Sequence, residues 1–211
     1  MRFINQACKI LTTLEEADAA VRRVEYAARN CYASQGKIDD RSYLKFVEGL
    51  IKRGHLAPLE FGQMTVELVT SRAVLAEITR HRLASYCVES QRYIQEAKTG
   101  DIDFITPSWA NDDRVDDFLD VKLTAAACEN TYKLMISKGC SPQEAREVLP
   151  NCTACKIVMN ANLREWRNIF ELRCSTAAYP QMRELMTMLL QDAHDAFPVV
   201  FDDLYEKFIK L

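Results

Sequence analysis

Apolar positions recur every three or four residues over most of this 211-residue chain and alternate singly over only a few short stretches. Helix is therefore predicted to dominate. Thr13-Leu14-Glu15-Glu16 has the spacing of a capping box and opens a helix whose apolar stripe is Ala20, Val21, Val24, Ala27, Ala28 and Cys31. A second helix is expected over residues 41–53, striped by Tyr43, Phe46, Val47, Leu50 and Ile51, with Gly54 as its C-terminal cap. Ser71 caps a helix carrying Ala73, Val74, Leu75 and Ile78, which ends near Arg80-His81-Arg82 before irregular chain. Residues 114–138 form a long helix with Val115, Phe118, Leu119, Ala126, Tyr132, Met135 and Ile136 on its apolar face. Ser141-Pro142-Gln143-Glu144 is a strong helix start, and that helix stops before Pro150. Helices follow over 162–172, from Pro180 with Met182, Leu185, Leu189 and Leu190, and around Phe201, Leu204 and Phe208.

Alternation predicts strands over 1–11 and 63–70, where Met64, Val66 and Leu68 alternate with Thr65, Glu67 and Val69. Shorter candidates are 93–97, 104–106 and 154–161. The strands are few and do not follow a strand-helix-strand rhythm, so the fold class is α+β rather than a doubly wound sheet. No repeat, low-complexity tract or Gly/Ser/Pro-rich linker interrupts the chain, and one compact domain over 1–211 is the simplest organisation.

Composition narrows the function classes. Apolar residues make up 48% and charged residues 27%, which predicts a globular protein rather than disorder. The net charge of −3 argues against a protein that wraps nucleic acid. No apolar run is long enough to span a bilayer and the first residues lack a signal-peptide core, so the cytoplasm is expected. The eight cysteines are scattered without a disulfide framework. Cys152-Thr-Ala-Cys155 lacks the second pair or histidines that zinc sites use, so no metal is expected and free thiols are the simpler reading.

Residues 80–93 carry the densest chemistry: Arg80, His81, Arg82, Ser85, Cys87, Glu89, Ser90 and Arg92 lie within one short segment. Such charge needs anionic partners if it is buried, and arginine's planar fork matches phosphate. No Rossmann fingerprint or P-loop is present, so any phosphate would be held by side chains and helix N-termini. A nucleotide is the anion that suits a local arginine cluster in an acidic chain. A Cys87-His81 nucleophile pair would need a third, orienting group, and the sequence shows none. His55 reads as a loop histidine and His194 as structural.

Arg80-His81-Arg82, seven residues, then Ser90-Gln91-Arg92-Tyr93 resembles the signature of the flavin-dependent thymidylate synthases. Four further segments match in the family's order: Ala27-Ala28-Arg29; Gly54-His55 with Glu60; Ala145-Arg146 through Leu149-Pro150; and Asn162-Leu163-Arg164 with Asn168 and Leu172-Arg173. The chain departs from the family at Ala57, Phe61, Glu77, Cys87 and Val88, and at 179–182.

The resemblance implies a helix-rich homotetramer around a mainly antiparallel sheet, with active sites drawing on several subunits. It implies reductive methylation of dUMP to dTMP, with methylenetetrahydrofolate as carbon donor, FAD as cofactor, NADPH as reductant and no enzyme nucleophile. Arg80, His81 and Arg82 would meet flavin and nucleotide. Glu77, Ile78 and Thr79 would lie beside the nucleotide, and Val88, Glu89, Ser90, Gln91 and Arg92 would cradle it, with Arg146 adding a second phosphate charge. Arg173 would meet the uracil ring and act as the catalytic cation. His55, Ala57, Val88, Asn162, Leu163, Arg164 and Asn168 would meet the flavin. The rival implication is a nucleotide- or flavin-binding homologue with reduced or no catalysis.

Overall fold

The computed structural model describes residues 1–92, 101–110 and 112–210. The strand expected over 93–97 and the signature's Tyr93 lie outside the described residues. The architecture is α+β with a mainly antiparallel sheet. Six strands are described: β1 (Arg2–Ile4), β2 (Ala7–Ile10), β3 (Gln63–Ser71), β4 (Ala84–Val88), β5 (Asp103–Ile105) and β6 (Ala154–Asn162). The helices are α1 (Leu14–Asn30), α2 (Ser42–Lys52), α3 (Arg72–Ile78), α4 (Val115–Ser137), α5 (Pro142–Ala145), α6 (Leu163–Arg173), α7 (Pro180–Ala196) and α8 (Pro198–Phe208). A four-stranded sheet runs β2-β3-β6-β4, and β1 pairs with β5 in parallel. Among the described residues, no helix is long and apolar enough to cross a membrane.

The central strands β3 and β6 show why sequence alternation becomes sheet. Met64, Val66, Leu68 and Thr70 are buried on β3, and Cys155, Ile157, Met159 and Ala161 on β6, while their neighbours are more exposed. The single strand expected over 1–11 is two strands. Gln6, at the break, is buried and lies 2.5 Å from the Thr70 hydroxyl. That buried polar contact ends one pairing, and β1 and β2 join different sheets. Residues 84–88, expected to be irregular, form β4.

The chain divides into two compact units. The first comprises Met1–Ala7, Leu68–Arg80 and Cys87–Ile157. Its core is Ile102, Phe104, Ala125, Tyr132 and Ala145, with Phe3, Met135 and Ile136 packed against them. Helix α4 buries Ala125, Glu129 and Tyr132, whereas Val115 and Leu119, expected on its apolar face, are exposed. Buried Glu129 accepts the Ile102 N–H at 3.0 Å and pairs with Lys133 at 3.0 Å, which explains a carboxylate on the inner face. The expected start at Ser141 is present, since the Glu144 carboxylate accepts both the Ser141 N–H and hydroxyl. The α-helix it opens lasts one turn before a 3-10 turn at Arg146–Val148.

The second unit comprises Cys8–Glu67, His81–Tyr86 and Val158–Leu211. Thr13 and Glu16 cap α1 reciprocally, as their spacing predicts. Ala20, Val21, Val24 and Ala28 are buried, but Cys31 is exposed just past the helix end. Gly54 (φ +72°) closes α2: its N–H reaches Ile51 O and the His55 N–H reaches Leu50 O, the paired bonds of a left-handed C-terminal cap. Trp166, Phe170, Phe201 and Phe197 form a run of ring contacts through the core, and the Trp166 indole N–H donates to Met64 O at 2.9 Å.

Gly62 sits where α6 begins. The Leu163 N–H donates to Gly62 O at 2.9 Å, and a Cβ on Gly62 would lie 2.5 Å from Leu163 Cδ1. Leu163 is fully buried and has little room to yield. Gly62→Ala is expected to destabilise the fold by about 1–3 kcal/mol, read as a lower urea midpoint at unchanged m-value. An unchanged midpoint would show that Leu163 yields at no cost.

Candidate active site

Each central strand turns directly into a helix: the first leads into the signature segment, and the second carries Arg164, Glu165, Asn168 and Arg173. Ser71 ends β3 and its hydroxyl oxygen accepts the Val74 N–H at 3.2 Å, starting α3. That helix ends at Ile78, and the Arg80 N–H closes the next turn on Glu77 O at 3.2 Å. Thr79, Arg80 and Arg82 are exposed and Glu77 is half-buried. The Ile78 and Leu163 side chains are fully buried and serve the core, so only their backbones remain for a ligand.

In the first unit, β4 ends at Val88 and the following turn is fixed by main-chain bonds. The Glu89 N–H donates to Lys156 O at 2.9 Å, and an Arg72 terminal N–H donates to Glu89 O at 3.0 Å. The Ser90 hydroxyl accepts the Arg92 N–H at 3.3 Å. The Arg72 Nε–H and the Gln91 side-chain amide nitrogen are buried and meet no acceptor among the described residues. Buried donors without partners are rare in native proteins and call for an explanation, of which an acceptor from outside the chain is one; Arg167 Nε and His194 Nδ1 in the second unit share this state. Arg80 and half-buried Arg146 belong to the same unit.

In the second unit, His81 is buried, 6% exposed, between two partners carried by α6. Its Nδ1 lies 3.1 Å from Glu165 Oε1, and its Nε2 accepts the Arg173 Nε–H at 3.0 Å. Asn162 caps α6, accepting the Glu165 N–H at 2.8 Å, and the Asn168 amide reaches both Glu165 carboxylate oxygens at 3.3 Å. The Tyr86 hydroxyl donates to His81 O at 2.8 Å, and burial pushes that phenol up to about 12. Burial pushes His81 below its ordinary value of 6.5, against the Glu165 hydrogen bond, and the Arg173 charge acts in the same direction as burial.

The same unit holds a cavity of about 600 Å³ lined by Leu56, Glu60, Leu83, Asn162, Arg164, Glu165, Asn168 and Leu204, among others. The structure thus brings together Asn162, Arg164 and Asn168, three of the side chains expected to meet flavin. His55 and Ala57 are exposed and do not line it, whereas Leu56 between them does. Arg82 is also outside the lining and Leu83 inside it. Arg164 is paired with Glu60 at 2.6 Å. Apolar leucine walls with amide and guanidinium edges suit a flat, heteroatom-edged ring such as a flavin.

Sequence reasoning passed over Glu165, Arg72 and Tyr86. The available signal for Glu165 was a carboxylate between core residues Leu163 and Trp166, three residues after a capping Asn. The thiols are free. Burial pushes Cys155 up to about 11 and Cys174 up to about 12, so both stay protonated at neutral pH.

His81 also sets an expected pH dependence. Its folded pKa is depressed, so the unfolded chain binds that proton first as pH falls below about 6.5. Its contribution is therefore fully present above that pH and declines on acidification towards the lower folded value. Thermal unfolding from pH 8 to 5.5 should show a stability loss that His81→Gln reduces. An identical slope in both proteins would remove His81 as its source.

The model of the family described as thymidylate synthase complementing protein matches residues 12–199. A flavin-dependent thymidylate synthase from Geobacter sulfurreducens is 30% identical over 187 residues, covering 85% of this chain and 80% of its own length. One from Mycobacteroides abscessus is 34% identical over 208 residues, covering 89% and 81%. Among solved structures, a UMP/dUMP methylase, PolB from Streptomyces cacaoi bound with 5-Br dUMP, shares the fold with a TM-score of 0.80 at 18% identity, covering 100% of this chain and 99% of that one. The signature at 80–92, a family match over nearly the whole chain and relatives at 30–34% identity lead to one conclusion: this chain belongs to the thymidylate synthase complementing protein family, the flavin-dependent thymidylate synthases.

Proposed function

We propose that this chain catalyses reductive methylation of dUMP to dTMP as a homotetramer. Methylenetetrahydrofolate supplies the carbon, FAD is the cofactor and NADPH the reductant, and no enzyme nucleophile attacks the pyrimidine. In net terms dUMP, methylenetetrahydrofolate, NADPH and a proton give dTMP, tetrahydrofolate and NADP⁺. The flavin, when bound, supplies the carbon and hydride transfer, and the protein supplies binding, orientation and electrostatics.

The observation that carries this reading is the contact between Arg173 and buried His81. A neutral imidazole nitrogen orients the guanidinium without cancelling its charge. A cation so held stabilises negative charge on the uracil ring as N3 ionises, which makes C5 more nucleophilic. The first unit supplies donors for the nucleotide: Arg72 Nε and Gln91 Nε2 are buried and without acceptors among the described residues, beside Ser90 and Arg92. Arg80 and Arg146 add phosphate charge, with Glu77, Thr79 and the backbone of Ile78 and Val88 alongside. Asn162, Arg164 and Asn168 hold the flavin, with the Leu163 backbone, and His55, Ala57 and Arg82 reach it at an assembled site.

The test is dTMP formation followed by mass spectrometry, with purified protein, dUMP, FAD, NADPH and methylenetetrahydrofolate at low oxygen. Product that disappears when FAD or NADPH is withheld is expected. No product, with dUMP still bound, would replace the proposal with a non-catalytic nucleotide-binding homologue. UMP in parallel reads the preference at the sugar. Arg173→Ala is expected to lower kcat by about 10²–10³-fold while dUMP affinity changes far less, by analogy with loss of one donor at a developing anion. Equal losses in both would assign Arg173 to binding alone.

A further inference from the structure

We propose that Glu165 is a positioning residue that acts on Arg173 through His81. This rests on the reading of Arg173 as the cation that faces the uracil ring. The chemistry of the three groups leaves one arrangement of protons. Arginine has donors and no acceptor, so the Arg173 Nε–H can bond His81 only if Nε2 carries a lone pair. The ring proton of the neutral imidazole is then on Nδ1, which donates to the Glu165 carboxylate 3.1 Å away. Glu165 therefore selects the one tautomer that can hold Arg173.

Glu165 is itself fixed. It is the third residue of α6, its N–H is taken by Asn162, and its carboxylate receives the Asn168 amide. His81 is tied on its other side, where its carbonyl accepts the Tyr86 hydroxyl. Both ring partners stand on one helix, so the spacing of Glu165 and Arg173 along α6 sets the span that the imidazole bridges. Without the carboxylate, the alternative tautomer places an Nε2–H against the Arg173 N–H. Two donors then face each other, and the guanidinium must turn away.

The test compares Glu165→Gln and Glu165→Ala with the parent protein. Loss of the carboxylate behind a metal-ligating histidine costs about 10–100-fold, and an effect of that order is expected by analogy. Glu165→Ala is expected to lower kcat towards the larger figure with dUMP Kd little changed. Glu165→Gln, whose amide oxygen can still accept from Nδ1, is expected to recover part of that loss. The decisive readout is the ¹⁵N imidazole spectrum. The chain has three histidines, so His81→Gln assigns the signal. The parent should show the Nδ1–H tautomer, and Glu165→Ala should shift His81 towards Nε2–H. An unshifted tautomer in Glu165→Ala, or an Nε2–H parent, would overturn the proposal. So would a shifted tautomer with unchanged kcat. A parent that makes no dTMP would overturn the reading of the reaction, while the spectrum would still decide whether Glu165 sets the His81 tautomer.

Discussion

Two strands that become helices without an intervening loop set the rest of the structure. β3 and β6 are neighbours in the sheet, and each alternates buried with less buried residues along nearly all of its nine positions. Each ends on a residue whose backbone remains extended while its side chain caps the next helix: Ser71 (φ −83°, ψ 158°) and Asn162 (φ −72°, ψ 160°). A capped junction fixes where a helix begins and therefore where its side chains point. α3 feeds straight into Arg80 and His81, and α6 carries Glu165, Asn168 and Arg173. These candidate site residues are thus set by rigid elements, with Gly62 packed against Leu163 beside the second junction.

Charge follows a second rule: several arginines are committed to carboxylates of the same unit. Arg29 pairs with buried Glu25 at 2.8 Å, Arg164 with Glu60 and Arg167 with Asp203 at 2.6 Å, and Arg2 with Asp103 at 2.7 Å. These pairs absorb several of the arginines that a sequence reader could assign to phosphate. Arg29 shows the point most plainly. It falls in a family-like segment, yet it is buried, bonded to Glu25 and set over the Phe46 ring. Glu25 in turn accepts the Ser42 hydroxyl at 2.9 Å, so the pair ties α1 to α2.

What was legible in the sequence was local. The Thr13 and Ser141 capping boxes, the Ser71 cap, the Gly54 stop and the alternation of β3 depend on residues within a few positions of one another. What was not legible depended on partners far along the chain. Residues 1–11 read as one stretch of alternating character, and nothing in that local pattern says that Gln6 will bury itself against Thr70 where the strand divides. The inner face of α4 was legible at Tyr132, Met135 and Ile136 but not at Glu129, whose partners are Ile102, Lys133 and the amino terminus. Glu165 was passed over for the same reason: at the third position of a helix a glutamate reads as a cap, and its partner His81 is 84 residues away.

A neutral histidine between a carboxylate and a guanidinium also resolves an energetic conflict. Direct pairing of Glu165 with Arg173 would satisfy both charges but would hold the cation against a permanent anion. Exposing Arg173 fully would leave it hydrated and poorly oriented. Burial raises the cost of a second cation at His81, and nearby Arg173 raises it further, so the imidazole stays neutral and bonds both partners at once. On the proposed reading, the carboxylate's influence arrives as orientation through a tautomer, while the guanidinium keeps the charge that an anionic ring would feel. This division of labour needs a buried imidazole with its two ring nitrogens facing groups of opposite charge, which is the geometry at His81.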